Sequence, residues 1–149
     1  MLPRIISGGQ TGVDRAALDV AMVLGLAHGG WCPAGRLAED GRIPDRYRLH
    51  ETLSPDYPAR TEQNVLDSDA TLVLCRGQPC GGTELTIRMA AEHGRACLVV
   101  DLDASPSAED ARRWLAARMV RTLNVAGPRE SQNPGIGRLA GEFLRGVLG

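Results

Sequence analysis

Short β-branched runs alternate with amphipathic stretches along almost the whole chain, and that alternation constrains the fold more than any other feature. Arg4-Ile5-Ile6-Ser7 reads as a strand, and residues 13–24 as a helix with Ala17, Val20, Ala21 and Leu24 on one face. A short strand is predicted at 28–32, a helix at 57–67 and a strand at 70–75, Ala-Thr-Leu-Val-Leu-Cys. Then come a helix over 83–93 that stops at Gly94, a strand at 96–100, a helix over 106–118 with Pro106 near its start, and a strand at 121–126. The last helix opens at Asn133-Pro134, a capping residue before a first-turn proline, and runs to Leu148. Apolar strands separated by helices require a parallel sheet covered on both faces. The expectation is one α/β domain over residues 1–149, a doubly wound sheet of about five strands with ligands at the carboxyl ends of the strands.

Composition narrows the function. All 17 basic residues are arginine, against 18 acids, for a formal charge of −1. Without lysine there is no Walker A loop, no Schiff base and no lysine general base, so a bound anion must meet guanidinium forks, backbone amides or hydroxyls. Near-neutral charge and 3% aromatics argue against a nucleic-acid platform. Cys32, Cys75, Cys80 and Cys97 form no C-x-x-C pair, and His28, His50 and His93 share no ligand spacing with them, so neither a structural metal nor a disulfide framework is expected. No apolar run is long enough for a membrane span, and the opening Met1–Ser7 segment lacks signal-peptide order, so the expected location is the cytoplasm.

Two glycine-rich loops join strands to helices. The first is Ser7-Gly8-Gly9-Gln10-Thr11-Gly12-Val13-Asp14, where glycines let the backbone approach a ligand and the helix start attracts an anion. Its spacing is not that of the dinucleotide fingerprint, and a merely tight turn explains it too. The second runs from Arg76 through Gly81-Gly82-Thr83-Glu84, and the two loops are expected to face each other across the strand-order reversal. Glu84 either complements the helix dipole or touches a ligand. Residues 33–55 show only turn punctuation and read as a lid or binding loop carrying Arg36, with self-pairing of its arginines to Glu39, Asp40 and Asp45 as the plainer explanation. Arg60 and Asn64 share a helix face. Arg129, between a strand and a helix, suits an oxyanion or pairs with Glu130. No G-x-S-x-G elbow, Cys–His pair or H-E-x-x-H is present.

Gly8–Asp14, Gly30-Trp-Cys-Pro33 with Ala38–Gly41 and Ile43-Pro44, Arg60-Thr61 with Asn64, Ser68–Thr71, Gly81–Glu84 and Asn124–Ser131 follow in order along the chain. Together they resemble the molybdenum-cofactor carrier family, a circularly permuted branch of the LOG-like Rossmannoid superfamily. The resemblance implies a Rossmann-like, oligomeric domain, dimer or tetramer, that binds a phosphorylated pterin carrying molybdenum or a nucleotide-like ligand. Molybdoenzymes or cofactor-synthesis proteins are the implied partners. The implied binding residues are Gly8, Gly9, Gln10, Thr11, Gly12, Asp14, Arg36, Arg60, Gly81, Gly82, Thr83, Glu84 and Arg129. Superfamily members also include phosphoribohydrolases that cleave modified nucleoside monophosphates and carry P-G-G-x-G-T-x-x-E. Here the nearest stretch, Pro79–Glu84, lacks the intervening x-Gly and its glutamate directly follows threonine, so hydrolase chemistry at Glu84 is the alternative rather than the expectation.

Overall fold

The computed structural model describes residues 4–149, and at its centre lies a five-stranded parallel sheet. Residues 1–3, the start of the segment read for a signal peptide, lie outside the described residues. In chain order the elements are β1 (Arg4–Ile6), α1 (Val13–Val23), β2 (Ala27–Gly29), β3 (Trp31–Cys32), β4 (Leu37–Ala38), β5 (Gly41–Arg42), β6 (His50–Glu51) and α2 (Tyr57–Leu66). After them come β7 (Ala70–Cys75), α3 (Gly81–Glu92), β8 (Ala96–Asp101), a 3-10 turn at Leu102–Ala104, α4 (Ala108–Ala117), β9 (Thr122–Ala126) and α5 (Ile136–Leu148).

The central sheet has the order β2-β1-β9-β7-β8. Counted from β9 as the first strand, that order reads 3-2-1-4-5, the doubly wound arrangement with its first βα unit moved to the end of the chain. The strand order therefore reverses between β9 and β7. The two glycine loops do not adjoin directly across the reversal, because β9 lies between the strands that lead into them. Helices α1, α4 and α5 pack together on one face and α2 and α3 on the other, so the sheet is Rossmann-like with both faces covered.

All six side chains of β7 are buried, as a central parallel strand requires. Leu72 and Leu74, with Leu123 and Val125 of β9, meet Val13, Ala17, Ile136 and Leu144 in the main core. Full burial of each leucine contributes about 2 kcal/mol. The opposite face is more polar: Asn124 Nδ2 donates to Thr71 Oγ1 at 3.2 Å in the buried layer between β9 and β7.

The predicted strand 28–32 divides at Gly30, whose φ of +123° turns the chain and whose Cβ, were there one, would lie 2.3 Å from the Ser7 carbonyl. Beyond it β3 leaves the main sheet and pairs with β6 in a separate parallel ladder. The segment 33–55 is ordered by its own small core, in which Leu18, Cys32, Ile43 and Tyr47 are buried. Arg36 stands inside this loop. Its Nε donates to the Ile43 carbonyl (3.1 Å) and its Nη2 to those of Pro44 and Tyr47 (both 2.8 Å). Helix α4 starts two residues later than Pro106 suggests, capped by Ser107 Oγ, which accepts from the Asp110 N–H at 3.1 Å. Helix α5 likewise starts at Ile136 rather than at Asn133-Pro134. Among the described residues no helix is long and apolar enough to cross a membrane.

Candidate functional site

A cavity of about 190 Å³ opens at the carboxyl ends of β1, β9 and β7, between α2 and α3. This is the place where a doubly wound sheet offers a crevice, because the connections on either side of the reversal depart in opposite directions. Gly8, Gln10 and Asp14 line it from the first glycine loop, Tyr57, Arg60, Thr61 and Asn64 from α2, and Gly82, Thr83 and Thr86 from α3. The end of β9 and the loop after it add Asn124 through Arg129, and Gln132.

An ion pair organises one wall. Arg60 Nη1 lies 2.9 Å from Asp14 Oδ2, with the Asp14 side chain only 5% exposed. The same oxygen accepts the Gln10 N–H at 3.2 Å. Burial pushes the Asp14 carboxyl above its ordinary range, while the charge and hydrogen bond of Arg60 pull it partly back. Gly8 makes the pair possible, since a Cβ there would stand 1.7 Å from Arg60 Nη1. One turn further along α2, Asn64 clamps the backbone of β3: its Oδ1 accepts the Trp31 N–H at 2.8 Å and its Nδ2 donates to the Trp31 carbonyl at 3.0 Å.

The two glycine loops differ in kind. In the first, each glycine is required by a neighbour: Gly8 by Arg60, Gly9 by Ile43 and Leu49, and Gly12 by the Pro128 carbonyl, which a Cβ would approach to 2.4 Å. Its amides are largely spoken for. Gln10 N–H bonds Asp14, Thr11 N–H bonds Gln10 Oε1, and Val13 N–H bonds the Pro128 carbonyl. At the second loop, a Cβ on Gly81 or Gly82 would meet nothing within 4 Å. Helix α3 begins there with no side-chain cap, and the Gly81 and Gly82 amides have no acceptor among the described residues. Both amides sit at the positive end of a helix dipole, and Gly82 borders the cavity.

Three buried side-chain atoms lack any hydrogen-bond partner among the described residues: Gln10 Nε2, Arg60 Nε and Arg129 Nε. All three are N–H donors, and all three residues line this cavity. The orientation of Gln10 is fixed by its Oε1, which accepts from Thr11 N–H (3.0 Å) and Glu39 N–H (2.9 Å). An unsatisfied buried donor costs about 1–3 kcal/mol, so three around one opening mark a place built for acceptors.

Of the remaining sequence-derived candidates, Thr11 donates its hydroxyl to Glu39 and accepts the Glu130 N–H at 3.1 Å, bracing the β4–β5 hairpin against the loop after β9. Glu39 is held below the usual carboxylate range chiefly by Ser131 and Thr11, and also lies 3.5 Å from Arg129 Nε. Glu130 does not serve Arg129; it caps α5 by accepting from the N–H groups of Gly135 (2.5 Å) and Gly137 (3.0 Å). Arg36 points into its own loop, and Glu84 is exposed; neither lines the cavity, and nor do Gly9, Gly12, Thr11 or Gly81. Asp14 is thus the one carboxylate in the lining. Nothing in the sequence pattern marks Thr86 or Gln132 as part of a site. Thr86 follows Thr83 by three residues on α3 and so shares its face. Among the described residues no group of three His, Cys, Asp or Glu side chains is placed to hold a metal ion.

The model of the circularly permutated YpsA SLOG family matches residues 5–148. A solved structure from Syntrophus aciditrophicus SB, named as a putative molybdenum carrier protein, superposes with a TM-score of 0.95 at 45% identity, covering 99% of this chain and 96% of that one. No curated protein matches.

Proposed function

We propose that this chain, which belongs to the circularly permutated YpsA SLOG family, binds the molybdenum cofactor as cargo, gripping its phosphate in the cavity between α2 and α3 without turning it over. The observation that carries this reading is the set of three buried donors without a hydrogen bond, on Gln10, Arg60 and Arg129, around one opening, of which Arg129 Nε alone has a carboxylate near it, Glu39 at 3.5 Å. Donors without acceptors suit a ligand end that offers only acceptors, which is what a phosphate is. The free amide of Gly82, with Thr83, would take phosphate oxygens at the start of α3, with the Gly81 amide just outside, and the two guanidinium groups the others. Thr86 and Asn124 are left for hydrogen bonds to the adjoining part of the ligand. The likeness to a protein named as a molybdenum carrier supports this cargo.

Size agrees with a grip on one end. Drug-sized ligands occupy about 300–1,000 Å³, whereas this cavity holds about 190 Å³. A phosphorylated pterin would therefore leave its metal-bearing end outside, accessible to a molybdoenzyme or a cofactor-synthesis protein, with the exchange taking place in the cytoplasm between homo-oligomers of this chain. Hydrolysis of a nucleotide would need a carboxylate free to act. Glu84 lies outside the lining, and Asp14 is committed to Arg60.

Native mass spectrometry after anaerobic incubation tests the reading, with the cofactor, AMP, an N6-modified AMP and inorganic phosphate in separate samples. An adduct of intact cofactor, weakened by Arg129→Gln, is the expected result. Release of free base and ribose phosphate from the modified AMP, with no cofactor adduct, would overturn it.

A further inference from the structure

The sheet has two edges, and the chain treats them differently. The β2 edge is short, three residues, and the loop over it reaches across: the Arg48 N–H bonds His28 Nε2 at 3.2 Å. The β8 edge is six residues long, pairs only with β7, and does so in continuous register from Ala70–Ala96 to Cys75–Asp101. From Ala96 to Val100 it carries no charge, no proline and no bulge, and Val99 is 42% exposed on it. Exposed edges are ordinarily blunted by one of those devices or covered, because their free N–H and C=O groups template another strand. Here none is used.

We propose that β8 is a self-association surface, on which a second copy of this chain adds its own β8 antiparallel about a two-fold axis at Leu98. The symmetry selects the register. A two-fold perpendicular to the sheet keeps each residue on its own face, so directly opposed residues must share parity. Centred on Leu98, the pairing sets Cys97 opposite Val99, Ala96 opposite Val100 and Arg95 opposite Asp101. Each end of the joint ladder then carries one cation facing one anion, and every position between them is uncharged. A centre at Val99 sets Cys97 against Asp101, and a centre at Cys97 sets Arg95 against Val99; both waste the charges on apolar partners. Arg95 is exposed. Asp101 uses its Oδ1 for the N–H groups of Gly77 (3.0 Å) and Asp103 (2.9 Å), which fixes the carboxylate at the end of the strand. The result is a ten-stranded sheet across two copies, and it gives the expected homo-oligomer a defined interface. None of Arg95, Cys97, Val99 and Asp101 lines the cavity, so this inference stands or falls separately from the cargo.

Sedimentation velocity over a wide concentration range reads the assembly directly. Val99→Lys puts two ammonium groups on the joint and should halve the mass of the wild-type assembly while leaving the circular dichroism of the folded chain unchanged. A positive test uses Val99→Cys in a Cys80→Ser background, because Cys80 is exposed. The introduced thiol then faces Cys97 of the second copy. Diamide, which takes up the two electrons and two protons released as the S–S bond forms, should yield a covalent dimer that disappears when Cys97→Ser is added. A wild-type chain that stays monomeric at every concentration, an assembly that Val99→Lys leaves intact, or a Val99→Cys chain that fails to cross-link would each overturn the proposal.

Discussion

Replacing Arg60 by methionine tests the arrangement of the cavity wall. The substitution keeps the apolar stem that packs over Gly8 and removes the guanidinium from Asp14. The Asp14 side chain is 5% exposed and has no other cation at bonding distance, so it is left as a buried charge held by the Gln10 N–H and the Ser7 side chain. Breaking one side of a buried ion pair costs about 3–5 kcal/mol. With a urea m-value of about 2 kcal/mol/M, the midpoint of unfolding should fall by about 1.5–2.5 M. The deficit should also depend on pH in a definite direction. The folded-state pKa of Asp14 is already above its ordinary value of 3.8 because of burial, and loss of Arg60 raises it further. A raised carboxyl contributes stability that is intact below the unfolded pKa and lost as pH rises through the folded one. The penalty of Arg60→Met should therefore be largest near neutrality and shrink as the pH is lowered toward the acid range. Adding Asp14→Asn, which keeps an acceptor for Gln10 but no charge, should recover more than half of it. Urea titrations followed by the fluorescence of Trp31 and Trp114 at several pH values supply the data. A wild-type midpoint for Arg60→Met, a deficit that grows toward acid pH, or no rescue by Asp14→Asn would refute the reasoning.

Other outcomes follow from the same contacts. Glu130→Ala leaves the Gly135 and Gly137 amides of α5 without their acceptor and should cost about 1–2 kcal/mol, seen as a lowered thermal midpoint. Gly127→Ala would drive a Cβ to 2.2 Å from the Leu74 carbonyl and should abolish stable folding, measured by circular dichroism. Gly82→Ala meets nothing within 4 Å and should leave stability unchanged or higher while weakening phosphate binding by calorimetry. Arg36→Met strands the carbonyls of Ile43, Pro44 and Tyr47, so amide exchange across 33–55 should accelerate well before it does in β7. Asp69, held below the carboxylate range by the Thr122 and Arg121 N–H groups, adds stability above its unfolded pKa that is lost as pH falls through the folded one; Asp69→Asn should flatten the acid limb of the stability profile.

How far the sequence discloses this molecule depends on whether each element is specified locally. β7 reads unambiguously because six apolar residues between turn signals must be buried on both faces. The β3–β6 and β4–β5 ladders do not read as ladders, although Trp31–Cys32 falls within the predicted strand 28–32. Each is two residues per strand, and what orders them is the guanidinium of Arg36 in the same segment and a tyrosine whose hydroxyl bonds Asp19 at 2.6 Å. Nothing in the sequence distinguishes an arginine that gathers carbonyls from one that awaits an anion, so Arg36 reads as a ligand candidate. The start of α5 misleads for a related reason. Asn133-Pro134 has the composition of a cap, but the acceptor is Glu130, folded back from the loop. Asp14 and Arg60, 46 residues apart, are visible only as members of separate motifs until the topology brings α1 and α2 to one crevice. Asn124 did leave a signal, a polar residue inside an otherwise apolar strand.

The two glycine loops show why a motif must be judged by what its glycines face. Both join a strand to a helix in the same sheet, and by composition the first looks the better anion cradle. Yet its glycines are explained by protein: a guanidinium, two aliphatic side chains and a carbonyl occupy the space where each Cβ would be. Its amides at Gln10, Thr11 and Val13 are consumed in the same way. The loop is a joint that locks Arg60, the β4–β5 hairpin and the 127–132 segment around α1. Gly81 has φ +56°, a left-handed conformation that itself calls for glycine, whereas Gly82 has open space and no such constraint. Gly82 therefore has no counterpart in the packing, and it stands at the head of α3, where two amides lack acceptors, beside a donor-lined cavity. A phosphate at the head of α3 accounts for Gly82, for the free amides and for the donor-lined cavity together, whereas at the first loop it would find the amides of Gln10, Thr11 and Val13 already bonded.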